Sequence, residues 1–239
     1  MAAIDIDMSE FTQKTTLAST DFITGTLADG SAVKIKVSDF ATVVAGITVQ
    51  SSTQLTSGGV YESVDLGLPS GTLWAKYNIG ATKESDYGDL FAWGATEPYR
   101  LNGTTPIDNT DNYASSYANK IQHDLYPNED AATVKWGKGW KMPTKAQFDE
   151  LLANTTDEWT AINGINGHKF TASNGNYIFF PDAGYVSGGS LSGRGSSGYY
   201  WSRSFNSASY AWGMLFDSSV RNVRTNYRHY GFSVRPVRG

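Results

Sequence analysis

The chain has 239 residues, a formal net charge of −4, 40% hydrophobic and 18% charged residues. These are values of one large or two unequal globular domains rather than of a disordered chain. It holds no cysteine, which excludes a disulfide scaffold, a cysteine-based zinc site and a thiol nucleophile, and no apolar run approaches the roughly 20 residues of a membrane helix.

Residues 1–57 form a unit with a texture of its own. DFITGTLADGSAVKIKVSDF (21–40) predicts a strand, a turn at Asp29-Gly30, a second strand and a short helix capped by Ser38 that stops near Gly46. Its Val33, Ile35, Val37, Phe40, Val43, Val44 and Ile47 exceed what one tiny core needs, so a threefold assembly burying the surplus is expected. The opening MAAIDIDMSEF has acids where an export signal needs basic residues and an apolar core. The polar TVQSSTQLTSGG (48–59) is the expected linker, and it leads into a second domain spanning 58–239.

From Val60 the chain changes to short aromatic segments flanked by glycine. VDLGLPSGTLWAKYNIG (64–80) predicts strand, turn, strand, and DNTDNYASSYANKIQHDLYPNED (108–130) predicts a long polar loop with a helical turn. The clearest helix follows in MPTKAQFDELLANTT (142–156), where Thr144 and Gln147 form a capping box and Phe148, Leu151 and Leu152 the buried stripe. Short strands are predicted at 168–171, 176–180, 199–203, 210–216 and 231–238. The last should alternate, with Phe232, Val234 and Pro236 on one face, beside the strand carrying Trp201. Many short strands with one or two helices predict an α+β fold.

Charge is unevenly spread. From Phe170 onward there is neither Lys nor Glu, and seven Arg face only Asp182 and Asp217, a local balance of +5. The segment 203–230 is rich in Arg, Tyr, Asn and Ser, residue types that give rigid contacts and adaptable hydrogen bonds in binding surfaces. Among them stand apolar residues that read as a fixed framework: Trp201, Trp212, Phe216, Val220, Val223, Phe232, Val234 and Val237. The overall negative charge and the lack of Lys argue against nucleic acid as the partner.

The ordered runs VDLGLPSGTLWAKYNIGA, DYGDLFAWGATEP, EDAATVKWGKGWKMPTKAQFDELL, GYYWSRS and GFSVRPVR resemble C-type-lectin-fold variable proteins of diversity-generating retroelements, found in gut Bacteroidales and their phages. The resemblance covers about Val60 to Gly239. It implies a C-type lectin fold and a variable region at about 199–232, where Asn codons are mutated to Tyr, Ser, Asp, Thr, Arg or His but not to Lys or Glu. It further implies a ligand-binding face of Arg203, Phe205, Asn206, Ser207, Tyr210, Arg221, Asn222, Arg224, Asn226, Tyr227, His229 and Tyr230. Such proteins are receptor-binding tips of phage tail fibres, generally trimeric, or bacterial surface proteins. Residues 21–40 resemble, more weakly, phage-fibre attachment modules, which would join phage tail or baseplate proteins. The resemblance therefore implies a virion protein binding a bacterial surface receptor, protein or glycan. The alternative is a bacterial cell-surface adhesin with a fixed ligand.

Catalytic patterns are scarce. His123, His168 and His229 have no metal-ligand spacing, and no nucleophile elbow, P-loop or HExxH occurs. Asp149 and Glu150 read as a solvated helix face, and Glu97-Pro98-Tyr99 lacks the distal half of a lectin calcium site. The expectation is a protein without enzymatic activity, cofactor or bound metal.

Overall fold

The computed structural model describes residues 22–26, 32–36, 61–106, 121–137 and 139–239. The chain divides into two compact units, Met1–Gln54 and Leu55–Gly239. In the first, β1 (Phe22–Thr26) and β2 (Ala32–Lys36) pair antiparallel with Ile23 opposite Ile35. The turn at Asp29-Gly30, the helix after Ser38 and the linker lie outside the described residues.

The second unit runs through β3 (Ser63–Asp65), β4 (Leu73–Ala75), β5 (Leu90–Phe91), β6 (Leu101–Asn102) and β7 (Thr105–Pro106) to helices α1 (Ala131–Trp136) and α2 (Lys145–Asn154). A hairpin layer follows, β8 (Thr155–Ile162), β9 (Ile165–Ala172) and β10 (Tyr177–Pro181), then the small pair β11 (Tyr185–Ser187) and β12 (Ser190–Ser192). The last third is β13 (Ser197–Phe205), β14 (Tyr210–Asp217), β15 (Arg221–Tyr227), β16 (Phe232–Ser233) and β17 (Val237–Arg238). The main sheet has the order β15-β14-β13-β16-β5, and smaller sheets have the orders β10-β9-β8 and β17-β4-β3.

This architecture corrects the expected α+β C-type lectin fold. The protein is predominantly β: among the described residues, helix is confined to segments of six and ten residues. Two of the strands that were not predicted are long ones. Thr155–Ile162 leaves the C-terminus of α2 directly as a strand, because Thr155, Thr156, Trp159, Thr160 and Ile162 favour a pleated backbone. Arg221–Tyr227 is a strand whose polar side chains hide the period, since both of its faces are partly open.

The end of the unit also departs from the expected single alternating strand. Residues 231–237 are all buried. β16 lies parallel to β13, Ser233 beside Tyr200, and antiparallel to β5, Phe232 opposite Phe91. β17 then crosses to the other sheet, with Val237 opposite Trp74. A segment covered on both faces has no reason to alternate.

Helix α2 forms as its sequence dictates. The Thr144 hydroxyl accepts from Gln147 N–H and the Gln147 side chain accepts from Thr144 N–H, closing the capping box. Phe148 and Leu151 are fully buried and Leu152 is packed at the margin. Their cluster includes Trp74, Phe170, Phe180, Tyr200 and Phe216, while Trp93, Trp136, Trp140, Trp201 and Phe232 anchor a second one. Between them runs fully buried Arg235, whose guanidinium donates to Asn78 Oδ1 (2.8 Å) and to the carbonyls of Ala75 (3.1 Å), Lys76 (3.0 Å) and Phe179 (2.7 Å).

Candidate binding face

The expected binding residues gather around the β13–β14–β15 end of the main sheet, but on different faces of it. Register decides which. Tyr210 pairs with Tyr227, Trp212 with Thr225, Met214 with Val223 and Phe216 with Arg221, so these eight share one face. On its inner part Met214 and Phe216 are buried and Val223 packs beside them, with Leu152 of α2 at the same cluster. Toward its outer end Lys145 Nζ lies 4.9 Å over the Trp212 ring, and beyond it the Tyr210 and Tyr227 rings meet tilted at 4.6 Å. Their mutual hydrogen bond pushes the Tyr210 phenol up from its ordinary pKa. Arg221, at the other end, is tied to Asp157 on β8 at 2.7 Å.

The opposite face carries Asn222, Arg224 and Asn226, paired with Leu215, Gly213 and Ala211. Here a shallow groove of about 150 Å³ opens, lined by Tyr199, Leu215, Asn222 and Arg224 together with Asp217 and Val220. Burial pushes the Tyr199 phenol up, with Arg224 pulling the other way. The Asn226 side-chain nitrogen is buried without a hydrogen-bond partner, a group that a ligand acceptor would satisfy. The two faces are joined by a run of rings: Tyr199–Tyr185 at 4.6 Å, Tyr185–Tyr230 at 5.8 Å and Tyr230–Tyr227 at 5.5 Å, with His229 4.9 Å from Tyr230.

Arg203 and Phe205 do not join this surface. Arg203 is a clamp: its side chain donates to the Leu125 carbonyl, its N–H to Pro143 O at 2.7 Å, and its carbonyl accepts from Leu125 N–H at 3.0 Å. Phe205 packs on the Trp-rich cluster under the Arg228 guanidinium. Asn206 is exposed and Ser207 shapes the β13–β14 turn, accepting from Tyr210 N–H at 3.2 Å. The framework reading also needs correction at Val220, which is 51% exposed and borders the groove. Tyr185 and Tyr199 were missed. Tyr199 shares a strand face with Trp201, a period-2 signal available in the sequence, but nothing in the sequence brings Tyr185 to the site.

A family model matches part of this chain. It is a domain of unknown function (DUF8237), and it covers residues 150–237. No curated protein and no solved structure matches. The DUF8237 span begins inside α2 and takes in every strand from β8 to β16, so both faces of β15 and the aromatic run fall within it. Among the described residues, no group of three or more His, Asp or Glu side chains is placed to hold a metal ion, and no helix is long and apolar enough to cross a membrane.

His168, the most buried histidine described, belongs to the support of the site. It faces Asp157 Oδ2 at 3.1 Å and Asp217 O at 2.9 Å. Through Asp157 it steadies Arg221, and through Asp217 the turn between β14 and β15.

Proposed function

We propose that this chain is a non-enzymatic receptor-binding protein, the tip of a phage tail fibre, that recognises a bacterial surface receptor through the β15 end of its main sheet. The observation that supports the reading is the division of labour along 199–232. Tyr200, Trp201, Met214, Phe216 and Phe232 are buried, while Asn206, Arg221, Arg224 and Tyr227 are exposed between them. A framework of that kind lets neighbouring side chains be exchanged without loss of the fold, as diversification of this region by a retroelement requires. The N-terminal unit is the attachment and trimerisation module in this reading. Three copies of a weak site would raise avidity by about 10²–10⁴ on a repetitive cell surface.

The test is adhesion of the purified full chain to a panel of intact Bacteroidales cells, with Arg224→Ala and Tyr227→Ala as variants. Adhesion lowered at least tenfold by either variant, at unchanged melting temperature, supports the proposal. Lack of adhesion to every strain, or indifference to both substitutions, counts against it. A near-copy of the coding stretch for 199–238 beside a reverse transcriptase gene would support diversification, and its absence would leave a fixed receptor.

A further inference from the structure

Resting on that receptor-binding reading, we infer that the partner is a protein bound by strand addition: an extended acidic segment pairs with the outer edge of β15. β15 is the last strand of the main sheet. Two hydrogen bonds fix which of its backbone groups face β14, Asp217 N–H to Val220 O at 2.9 Å and Arg228 N–H to Ser209 O at 3.0 Å. Antiparallel alternation then turns residues 222, 224 and 226 toward β14, and Arg221, Val223, Thr225 and Tyr227 direct their N–H and C=O outward. Among the described residues, one backbone bond reaches that outer row, Tyr230 N–H to the Tyr227 carbonyl at 3.0 Å.

An open edge of this length is a liability that proteins blunt with Lys, Pro, a bulge or a covering segment. β15 has neither Lys nor Pro, and its seven pairs with β14 run from Tyr210↔Tyr227 to Phe216↔Arg221 without a register shift. Exposed Arg221 and Arg224 are the charges it carries. Arg221 is held by Asp157, while Arg224 has no ion pair among the described residues. A second copy of the chain is a poor occupant, because antiparallel self-pairing centred on the strand sets Arg224 against Arg224. An acidic segment answers exposed Arg224, the charge of this strand without an ion pair among the described residues. Its alternate side chains would fall beside the Tyr199–Leu215–Asn222 groove on one face and beside Tyr227 on the other.

Strand addition also suits a surface whose side chains are exchanged. Main-chain bonds to the edge survive any substitution except proline, so a base affinity persists while side chains on the two faces set specificity.

The probe is the capped heptapeptide acetyl-TEVEVET-amide, titrated into the isotopically labelled full chain while backbone amide signals are followed. Saturable shifts at Arg221, Val223 and Thr225 are expected. Affinity should fall at least tenfold for the same peptide N-methylated at alternate amides, and for the chain carrying Thr225→Pro. That substitution removes an outward N–H and leaves the bonds of residues 224 and 226 to β14 in place. Should Thr225→Pro unfold, the N-methylated peptide against the wild-type chain decides alone. No saturable shift at millimolar peptide, or equal binding of the N-methylated form, overturns the inference. So does capture of a bacterial polysaccharide through the groove with undisturbed edge amides. Cell adhesion that persists in Thr225→Pro but is lost in Tyr227→Ala also sinks strand addition while the receptor reading stands; a wild-type chain that adheres to no cell sinks the receptor reading instead.

Discussion

Arg235 is a buried full charge with no ion pair among the described residues, held by three carbonyls and one amide oxygen from two distant parts of the chain. Burial pushes it down to about 10, still far above neutrality, so it stays charged. Its planar fork supplies donors in fixed directions that an ammonium does not reproduce. Arg235→Lys and Arg235→Ala are both expected to cost about 3 kcal/mol or more, read as a lower urea midpoint, because buried acceptors are left unmatched. Asp182 offers the opposite case. It is fully buried, its Oδ2 accepts from Trp159 Nε1 at 3.2 Å, and its Oδ1 has no partner. Burial pushes its carboxyl above the ordinary range. The folded chain therefore keeps a proton that the unfolded chain releases, and stability declines as pH rises from the ordinary carboxylate range through the raised one. Asp182→Asn keeps the acceptor for Trp159 and removes the titration. Unfolding free energies measured between about pH 4 and 7, the span above an ordinary carboxylate, should show a flatter decline in the variant. Some slope should remain, because burial shifts Asp130 in the same direction. An identical slope in both chains would refute the assignment.

At the level of elements, legibility followed local chemistry. Helix α2 could be read to within a residue because its start is written in a capping box and its stripe in a 3.6-residue period. Thr144→Ala should lower stability by about 1 kcal/mol, measured by thermal melting, and leave the buried stripe in place. β13 and β14 were legible from their short aromatic-rich runs, YYW in one and YAW…F in the other. β15 was not: its burial runs exposed, half, half, exposed, half, half, exposed, which has no period of two. That pattern belongs to an edge strand, where exposure depends on what lies over each face rather than on pleat alone. The site was half legible for a related reason. Composition singled out Asn222, Arg224 and Tyr227, but β13 shifts register between Trp201 and Phe205, and that irregularity turns Arg203 and Phe205 toward the protein. No count of residue types foresees a bulge.

At the level of the whole molecule, the proposed trimer has a direct measure. Light scattering should give three chains for the full protein and one for a chain starting at Gly58; a monomeric full chain at micromolar concentration ends the idea. The α+β expectation for the second unit failed because no strand was predicted at 155–162 or 221–227, where pairing with β9 and β14 holds polar residues in extended backbone. The crossing of the final segment from the main sheet to Trp74 has a temporal meaning too. Contacts between residues 74–78 and 235–237 span about two-thirds of the chain, so contact order is high and folding correspondingly slow. On the ribosome, a nascent chain that has reached Tyr230 still lacks Phe232, Val234, Arg235 and Val237, and both clusters stay unclosed. A stop codon or frameshift created anywhere in 203–230 therefore leaves no folded unit to be displayed. Synthesis order acts as an inspection step: only a chain read in frame through 203–230, the stretch proposed to vary, completes the body that carries it.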